Sequence, residues 1–242
     1  RHFKPQLGML METEIWFNLI RACKKNNVPL LLLNARMSEK SARGYARFAS
    51  LTREALQALS GIAAQTEADV QRLLSLGATR ISVMGNLKFD IVPPRVMSEL
   101  GKTLRERFGI TRKIFLAAST RDGEEALLLD AWQHTETLLV IVPRHPQRFN
   151  EVADLINKRG FLMQRRSHSE NVPPEVQVVL GDSMGEMFAY YAACDVAFVG
   201  GSLLPLGGQN LIEACAVGKP VLIGPSTYNF AEATELAVRA GA

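Results

Sequence analysis

The stretch Phe198-Val199-Gly200-Gly201-Ser202, continued by Gly207-Gly208-Gln209-Asn210-Leu211-Ile212-Glu213-Ala214, decides how this chain is read. An apolar strand runs into paired glycines, and a second glycine pair opens a helical pattern. Glycine lets backbone N–H groups approach a ligand closely, and the helix start beyond Asn210 offers unpaired donors and the positive end of a dipole. Such a place suits a phosphate, and Glu213, one turn inside, is spaced to accept hydrogen bonds from sugar hydroxyls beside it. A nucleotide matches that pairing. On the residues alone a second reading stays open, in which Asn210 and Glu213 form only a capping box and the glycines a tight turn.

Working outward, short β-rich runs alternate with helical patterns from Leu7–Met11 and Trp16–Lys25 through Leu30–Leu33 to Ile81–Met84. That rhythm belongs to a parallel sheet covered by helices. Pro93-Pro94 then stiffens the chain into an extended connector, and a domain boundary is placed there. After a helical stretch around Val96–Phe108 the alternation restarts with Ile114–Ala118, Leu138–Val142, Val176–Leu180, Val196–Val199 and Val221–Ile223. Arg165-Arg166-Ser167-His168-Ser169 reads as an exposed loop.

Composition sets the frame. The 242 residues are 47% hydrophobic and 21% charged, which excludes a disordered or fibrous chain. A net charge of +4 favours anionic partners such as nucleotides, phosphorylated substrates or an anionic membrane surface. Cys23, Cys194 and Cys215 lack any zinc or disulfide spacing, which favours a reducing compartment. The run Leu30–Leu33 is far too short to span a bilayer, and no signal peptide opens the chain. The start at Arg1 and the stop at Ala242, just after a helical run, read as two ends cut from a longer protein.

Ligands of open parallel sheets bind outside the carboxyl ends of the strands. There, Leu138–Val142 delivers Pro143-Arg144-His145-Pro146, and a guanidinium at that exit can pair bidentately with phosphate or carboxylate, or else form a structural ion pair. Val176–Leu180 leads into Gly181-Asp182-Ser183-Met184-Gly185-Glu186. Ser183 and Glu186 have capping-box spacing, while a glycine at Gly185 in a first helical turn costs about 1 kcal/mol and suggests close packing there. Ile114–Ala118 ends in Ser119-Thr120, which could line a crevice, before Glu124 and Glu125, read as favourable charges at a helix start.

Five segments in order, Met11-Glu12-Thr13-Glu14-Ile15-Trp16, Gly85-Asn86-Leu87-Lys88-Phe89-Asp90, Val142-Pro143-Arg144-His145-Pro146, Gly181-Asp182-Ser183-Met184-Gly185-Glu186 and Phe198-Val199-Gly200-Gly201-Ser202, resemble the bacterial 3-deoxy-D-manno-octulosonic acid (Kdo) transferases. The resemblance implies an α/β GT-B glycosyltransferase of two Rossmann-like domains, the first truncated at its N-terminus. Residues 1–92 would be the C-terminal part of the acceptor-binding domain, and 93–242 the CMP-Kdo donor-binding domain without its last segment. It implies inverting transfer of Kdo from CMP-Kdo to a lipid A precursor (lipid IVA) at the cytoplasmic face of the inner membrane. The membrane would be reached through an amino-terminal segment outside this chain, with no nucleic-acid partner and no cofactor.

Carried residue by residue, Pro143 and Arg144, then Met184, Gly185 and Glu186, then Asn210, Leu211, Ile212 and Glu213 match the segments that contact CMP in the family. Within that site we assign Arg144 and the helix start at Asn210 to the phosphate, Glu213 to the ribose hydroxyls, and the Met184–Glu186 turn to closing around the nucleotide. Glu12, Ser119, Thr120, Gly200, Gly201, Ser202, Gly207 and Gly208 are further cleft candidates. With no Asp-x-Asp pair in the sequence, no metal is expected in the donor site.

The chain also departs from the family pattern. Phe17 stands where proline is usual, Gln209 where histidine is usual, and Leu211-Ile212 where Pro-Leu is usual. The family's general base, a glutamate in a Ser-Val-Gly-Glu context, has no counterpart here and is expected upstream of Arg1, so this stretch would bind donor without turning it over. A UDP-sugar 2-epimerase of the same architecture, or a non-catalytic nucleotide- or glycan-binding module, remain alternatives on the physics of the residues.

Overall fold

A computed structural model describes residues 4–132, 136–168 and 170–241. Two compact units divide the chain, Arg1–Asp90 and Ile91–Ala242. Among the described residues no helix is long and apolar enough to cross a membrane.

The first unit runs β1 (Gly8–Met11), α1 (Phe17–Lys25), β2 (Leu30–Ala35), α2 (Glu39–Ala46), α3 (Ala49–Ala58), β3 (Gly61–Ala64), α4 (Glu67–Ser75) and β4 (Ile81–Val83). All pairings are parallel, in the order β1-β2-β3-β4. Leu32 of β2 is buried with Ile20 of α1, Leu56 of α3 and Leu73 of α4, the apolar stripes that helical periodicity turns toward the sheet. Local chemistry sets the helix starts. The Thr66 hydroxyl accepts from the Asp69 N–H, and the buried Asp69 carboxylate accepts from the Met37 N–H at 2.8 Å, tying α4 to the exit of β2.

The second unit contains α5 (Arg95–Phe108), β5 (Ile114–Thr120), α6 (Glu124–Ala131), β6 (Leu138–Pro143), α7 (Phe149–Lys158), β7 (Met163–Arg165), β8 (Val178–Leu180), α8 (Met187–Ala193), β9 (Val196–Val199), α9 (Ile212–Ala216), β10 (Val221–Ile223) and α10 (Ala231–Arg239). Its sheet is parallel throughout, in the order β10-β9-β5-β6-β8-β7. Every residue of β6 is buried. Period-two alternation sends Leu138, Val140 and Val142 toward Leu104 and Phe108 of α5, and Leu139 and Ile141 toward Leu129 of α6 and Val152 of α7. Helices therefore cover both faces. Gly101 lets α5 lie against α8, since a Cβ there would fall 2.5 Å from that of Ala192.

The segment 165–168 corrects the loop expected from sequence. Arg165 ends β7, which pairs with β8, and Arg166–His168 form one 3-10 turn; Ser169 lies outside the described residues. Arg165 approaches Asp182 at 3.5 Å and Arg166 approaches Glu186 at 3.3 Å, so two charges that look solvated in sequence are tied across the sheet edge. From β5 the chain builds outward through β6 to β7 and β8, then returns to β9 and β10 on the other side. The strand order reverses at β5, and crevices open at such reversals.

Candidate functional site

At the carboxyl ends of β5, β6 and β8 lies a cavity of about 440 Å³. Ser119 reaches it from β5, Pro143 and Arg144 from β6, and Met184, Gly185 and Glu186 from the turn after β8. Gln209, Asn210 and Glu213 form the opposite wall, joined by Phe230. The Arg144 N–H donates to the Thr120 carbonyl at 3.0 Å, which fixes the exits of β5 and β6 together. Its side chain is exposed, and among the described residues no hydrogen bond or ion pair engages the guanidinium. The ion pair left open in sequence does not form.

Glu213 is half-buried. Burial pushes its carboxyl above the ordinary value, while a hydrogen bond from Asn210 and the positive charge of Arg144 pull it back. Asn210 Nδ2 donates to Glu213 Oε1 at 3.1 Å, and Asn210 Oδ1 accepts from the Ile212 N–H at 3.0 Å. This differs from the capping box, because the carboxylate meets the asparagine side chain rather than its backbone. The helix is also short: α9 has five residues, too few to sum the large dipole that the sequence reading invoked at its start. Leu211 and Ile212 are buried in the core and do not line the cavity.

The turn after β8 is braced from behind. Ser183 Oγ donates to Glu186 Oε2 at 2.7 Å and lies 2.7 Å from the Tyr190 hydroxyl, and Arg166 Nη2 donates to Glu186 Oε1 at 3.3 Å. Burial raises the Tyr190 phenol far above its usual range, so it stays protonated. Gly185 precedes α8 instead of lying in its first turn. At φ +76° with open space around its Cβ position, it serves a left-handed turn and not close packing.

The glycine loop overturns the phosphate-cradle reading. The N–H groups of Gly201, Ser202 and Leu203 donate to the Glu124 carboxylate at 2.6, 3.0 and 3.0 Å, so the chain's own anion fills that nest. The Gly207 N–H goes to Ser226 Oγ, and the Gly208 and Gln209 N–H groups to the carbonyls of Gly201 and Gly200. None of Gly200, Gly201, Ser202, Gly207 and Gly208 lines the cavity. Gly200 is required for another reason, since a Cβ there would sit 2.5 Å from the Ser119 carbonyl oxygen.

Ser119 lines the cavity at φ +54°, whereas Thr120 is buried behind it. The Thr120 hydroxyl donates to Glu125 Oε1 at 2.7 Å, and Arg148 Nη1 donates to the same oxygen at 2.7 Å. Glu124 and Glu125 stand in the first turn of α6, as expected, and both are fully buried there, which the sequence did not show. Glu12, exposed after β1 at φ +58°, belongs to the first unit. Sequence reasoning missed Tyr190 and Phe230 as lining residues. Tyr190 had one usable signal, its helical spacing from Ser183.

Two parallel α/β units, the second with its cavity at the strand reversal, define a GT-B fold. The chain resembles the C-terminal CMP-Kdo binding domain of WaaA from Acinetobacter baumannii, at 32% identity and TM-score 0.55 over 59% of this chain and 77% of that one. A UDP-GlcNAc 2-epimerase from Neisseria meningitidis shares the fold alone, at 16% identity and TM-score 0.53 over 98% of this chain and 69% of that one. Residues 1–91 match the family model described as 3-deoxy-D-manno-octulosonic-acid transferase (kdotransferase). The 3-deoxy-D-manno-octulosonic acid transferase of Bordetella pertussis is 43% identical over 98% of this chain and 57% of its own length. That of Haemophilus influenzae is 39% identical over 95% of this chain and 55% of its own. The chain belongs to the Kdo transferase family, and spans about half the length of these relatives.

Proposed function

We propose that the second unit binds the CMP moiety of CMP-Kdo in the cavity between Arg144, the Met184–Glu186 turn and the Asn210–Glu213 wall. The observation that carries this reading is the unpartnered Arg144 guanidinium, exposed in the same cavity as the half-buried Asn210–Glu213 pair. A free guanidinium takes a phosphate bidentately, and a carboxylate with accepting capacity to spare takes vicinal ribose hydroxyls. As CMP leaves, negative charge builds on its phosphate, and a cation already fixed at a strand exit stabilises it without reorganisation. The first unit serves the acceptor, a lipid A precursor, in a protein working at the inner membrane face. Of the family's reaction, donor recognition is what these residues supply.

Calorimetry and thermal shift with CMP, CTP and UDP test this. A ligand selective for the native state at 100 times its Kd adds about 2.7 kcal/mol, so a clear rise in melting temperature is expected with the cytidine nucleotides. A rise with UDP and none with CMP or CTP overturns the donor assignment. Transfer itself is read by mass spectrometry of a lipid A precursor incubated with CMP-Kdo and a protein matching the full length of the relatives.

A further inference from the structure

The buried carboxylate of Glu124 joins the two strand exits that flank the point where the sheet reverses. From the β5 side the Arg121 N–H donates to Oε2 at 2.9 Å. From the β9 side the Gly201 N–H donates to the same oxygen at 2.6 Å, and the Ser202 and Leu203 N–H groups donate to Oε1 at 3.0 Å each. Both oxygens are thus saturated by backbone donors, and no basic side chain of the described residues lies in ion-pair range of this fully buried group. Four charge-assisted hydrogen bonds balance its desolvation.

The gripped loop carries the cavity wall. The Gly201 carbonyl accepts from the Gly208 N–H at 2.7 Å and the Gly200 carbonyl from the Gln209 N–H at 2.9 Å. Gln209 and Asn210 begin the wall that ends in Glu213. We propose that Glu124 is a positioning residue of the donor cavity, an internal anion lodged in the backbone nest of Gly201–Leu203 that sets the Gln209–Glu213 wall. It touches no ligand. Its reach into nucleotide affinity rests on the reading of the cavity as the CMP site, whereas its hold on the wall does not.

The geometry makes the negative charge itself, not side-chain volume, the requirement. A glutamine at this position turns an NH₂ group toward backbone N–H donors at one of the two oxygen sites, leaving donors facing a donor. Removing the side chain leaves an empty nest of N–H groups sized for a small carboxylate.

The test uses the 242-residue chain, labelled for amide NMR, as wild type, Glu124→Ala, Glu124→Gln and Glu124→Asp, each titrated with sodium formate against a sodium chloride control. In Glu124→Ala the amide resonances of Gly201, Ser202 and Leu203 are expected to move from their wild-type positions together with those of Gln209, Asn210 and Glu213. Formate, and not chloride, should return both sets. CMP binding measured in parallel should weaken about tenfold or more in Glu124→Ala and Glu124→Gln and recover with formate in the former. Wild-type resonances for 209–213 in Glu124→Ala without formate, or wild-type CMP affinity in Glu124→Gln, overturn the proposal. If Glu124→Ala does not fold, the same comparison between Glu124→Gln and Glu124→Asp decides it, with the charged variant expected nearer to wild type. Failure of wild type to bind CMP removes the functional reading, while the amide shifts still decide the positioning role.

Discussion

Arg144, at the exit of β6, and Glu213, in α9 beyond β9, face one cavity from opposite sides of β5, and they do so without closing into an ion pair. Each is held by its own surroundings, the arginine through its backbone bond to Thr120 and the glutamate through Asn210. On the proposed reading, the gap between them holds the phosphate and the ribose of CMP at once.

Arg144→Ala is expected to weaken CMP about tenfold to a hundredfold, the worth of hydrogen bonds to a charged group. Arg144→Lys should recover only part of that, because an ammonium lacks the bidentate fork. Cytidine, which has no phosphate, should bind both variants like wild type. Calorimetry with the two ligands checks this, and an equal loss for cytidine would move Arg144 away from the phosphate.

Glu213 gives a pH signature. Burial raises its carboxyl in the folded state, so its contribution to stability is present below the unfolded value and is lost as pH rises through the folded one. At neutral pH the ionised group therefore costs stability. Ligand-free Glu213→Gln should melt at or above wild type at pH 7.5, with the difference shrinking toward pH 4, yet bind CMP about tenfold more weakly. Melting curves across pH and a titration at pH 7.5 separate the two effects.

Arg148 is mostly buried and pairs with the fully buried Glu125, with Asp122 at 3.3 Å and Glu151 at 3.2 Å on its other side. Arg148→Ala strands the Glu125 charge and is expected to cost about 3–5 kcal/mol. The double change Arg148→Met with Glu125→Gln should cost less than Arg148→Ala alone, because no uncompensated charge remains. Denaturant unfolding of the three proteins measures it.

Two glycines near the cavity should respond differently to alanine. Gly200→Ala drives a Cβ into the Ser119 carbonyl, a backbone atom that cannot step aside, and should damage both stability and CMP binding. Gly185→Ala meets open space and carries only the left-handed φ penalty, about 1–2 kcal/mol. Thermal melts of the pair are the measurement.

Periodicity and strand-end position were enough to read the alternation of strands and helices from the residues, with Val196–Val199 and Val221–Ile223 matching the observed strands to the residue. Strand-end position also pointed to Arg144, and the glycine pair before a helix start to Asn210 and Glu213, while Met184–Glu186 entered as nucleotide contacts through the family resemblance. All of these line the one cavity, whereas Leu211 and Ile212 do not. What stayed hidden depends on partners far along the chain. The bond from Gly201 to Glu124 spans 77 residues, and Arg166 meets Glu186 across 20. No local spacing announces such pairs, and a charge beside a helix start looks the same whether it faces water or a backbone nest. β7 is three residues long, with the polar pair Gln164-Arg165 after Met163, so edge pairing with β8, rather than propensity, makes it a strand.

The filled glycine nest bears on how this fold can diversify. A wall held up by the chain's own carboxylate leaves Met184, exposed at the cavity, without a part in holding the loop beneath it, whereas Gln209 is tied to Gly200 through its backbone and Phe230 packs on the core. On the proposed reading of the cavity, a change at Met184 alters the lining met by the ligand while the Glu124-held loop stays intact. Selectivity and foldability are thereby assigned to separate residues, and a lineage can drift in the first without risking the second.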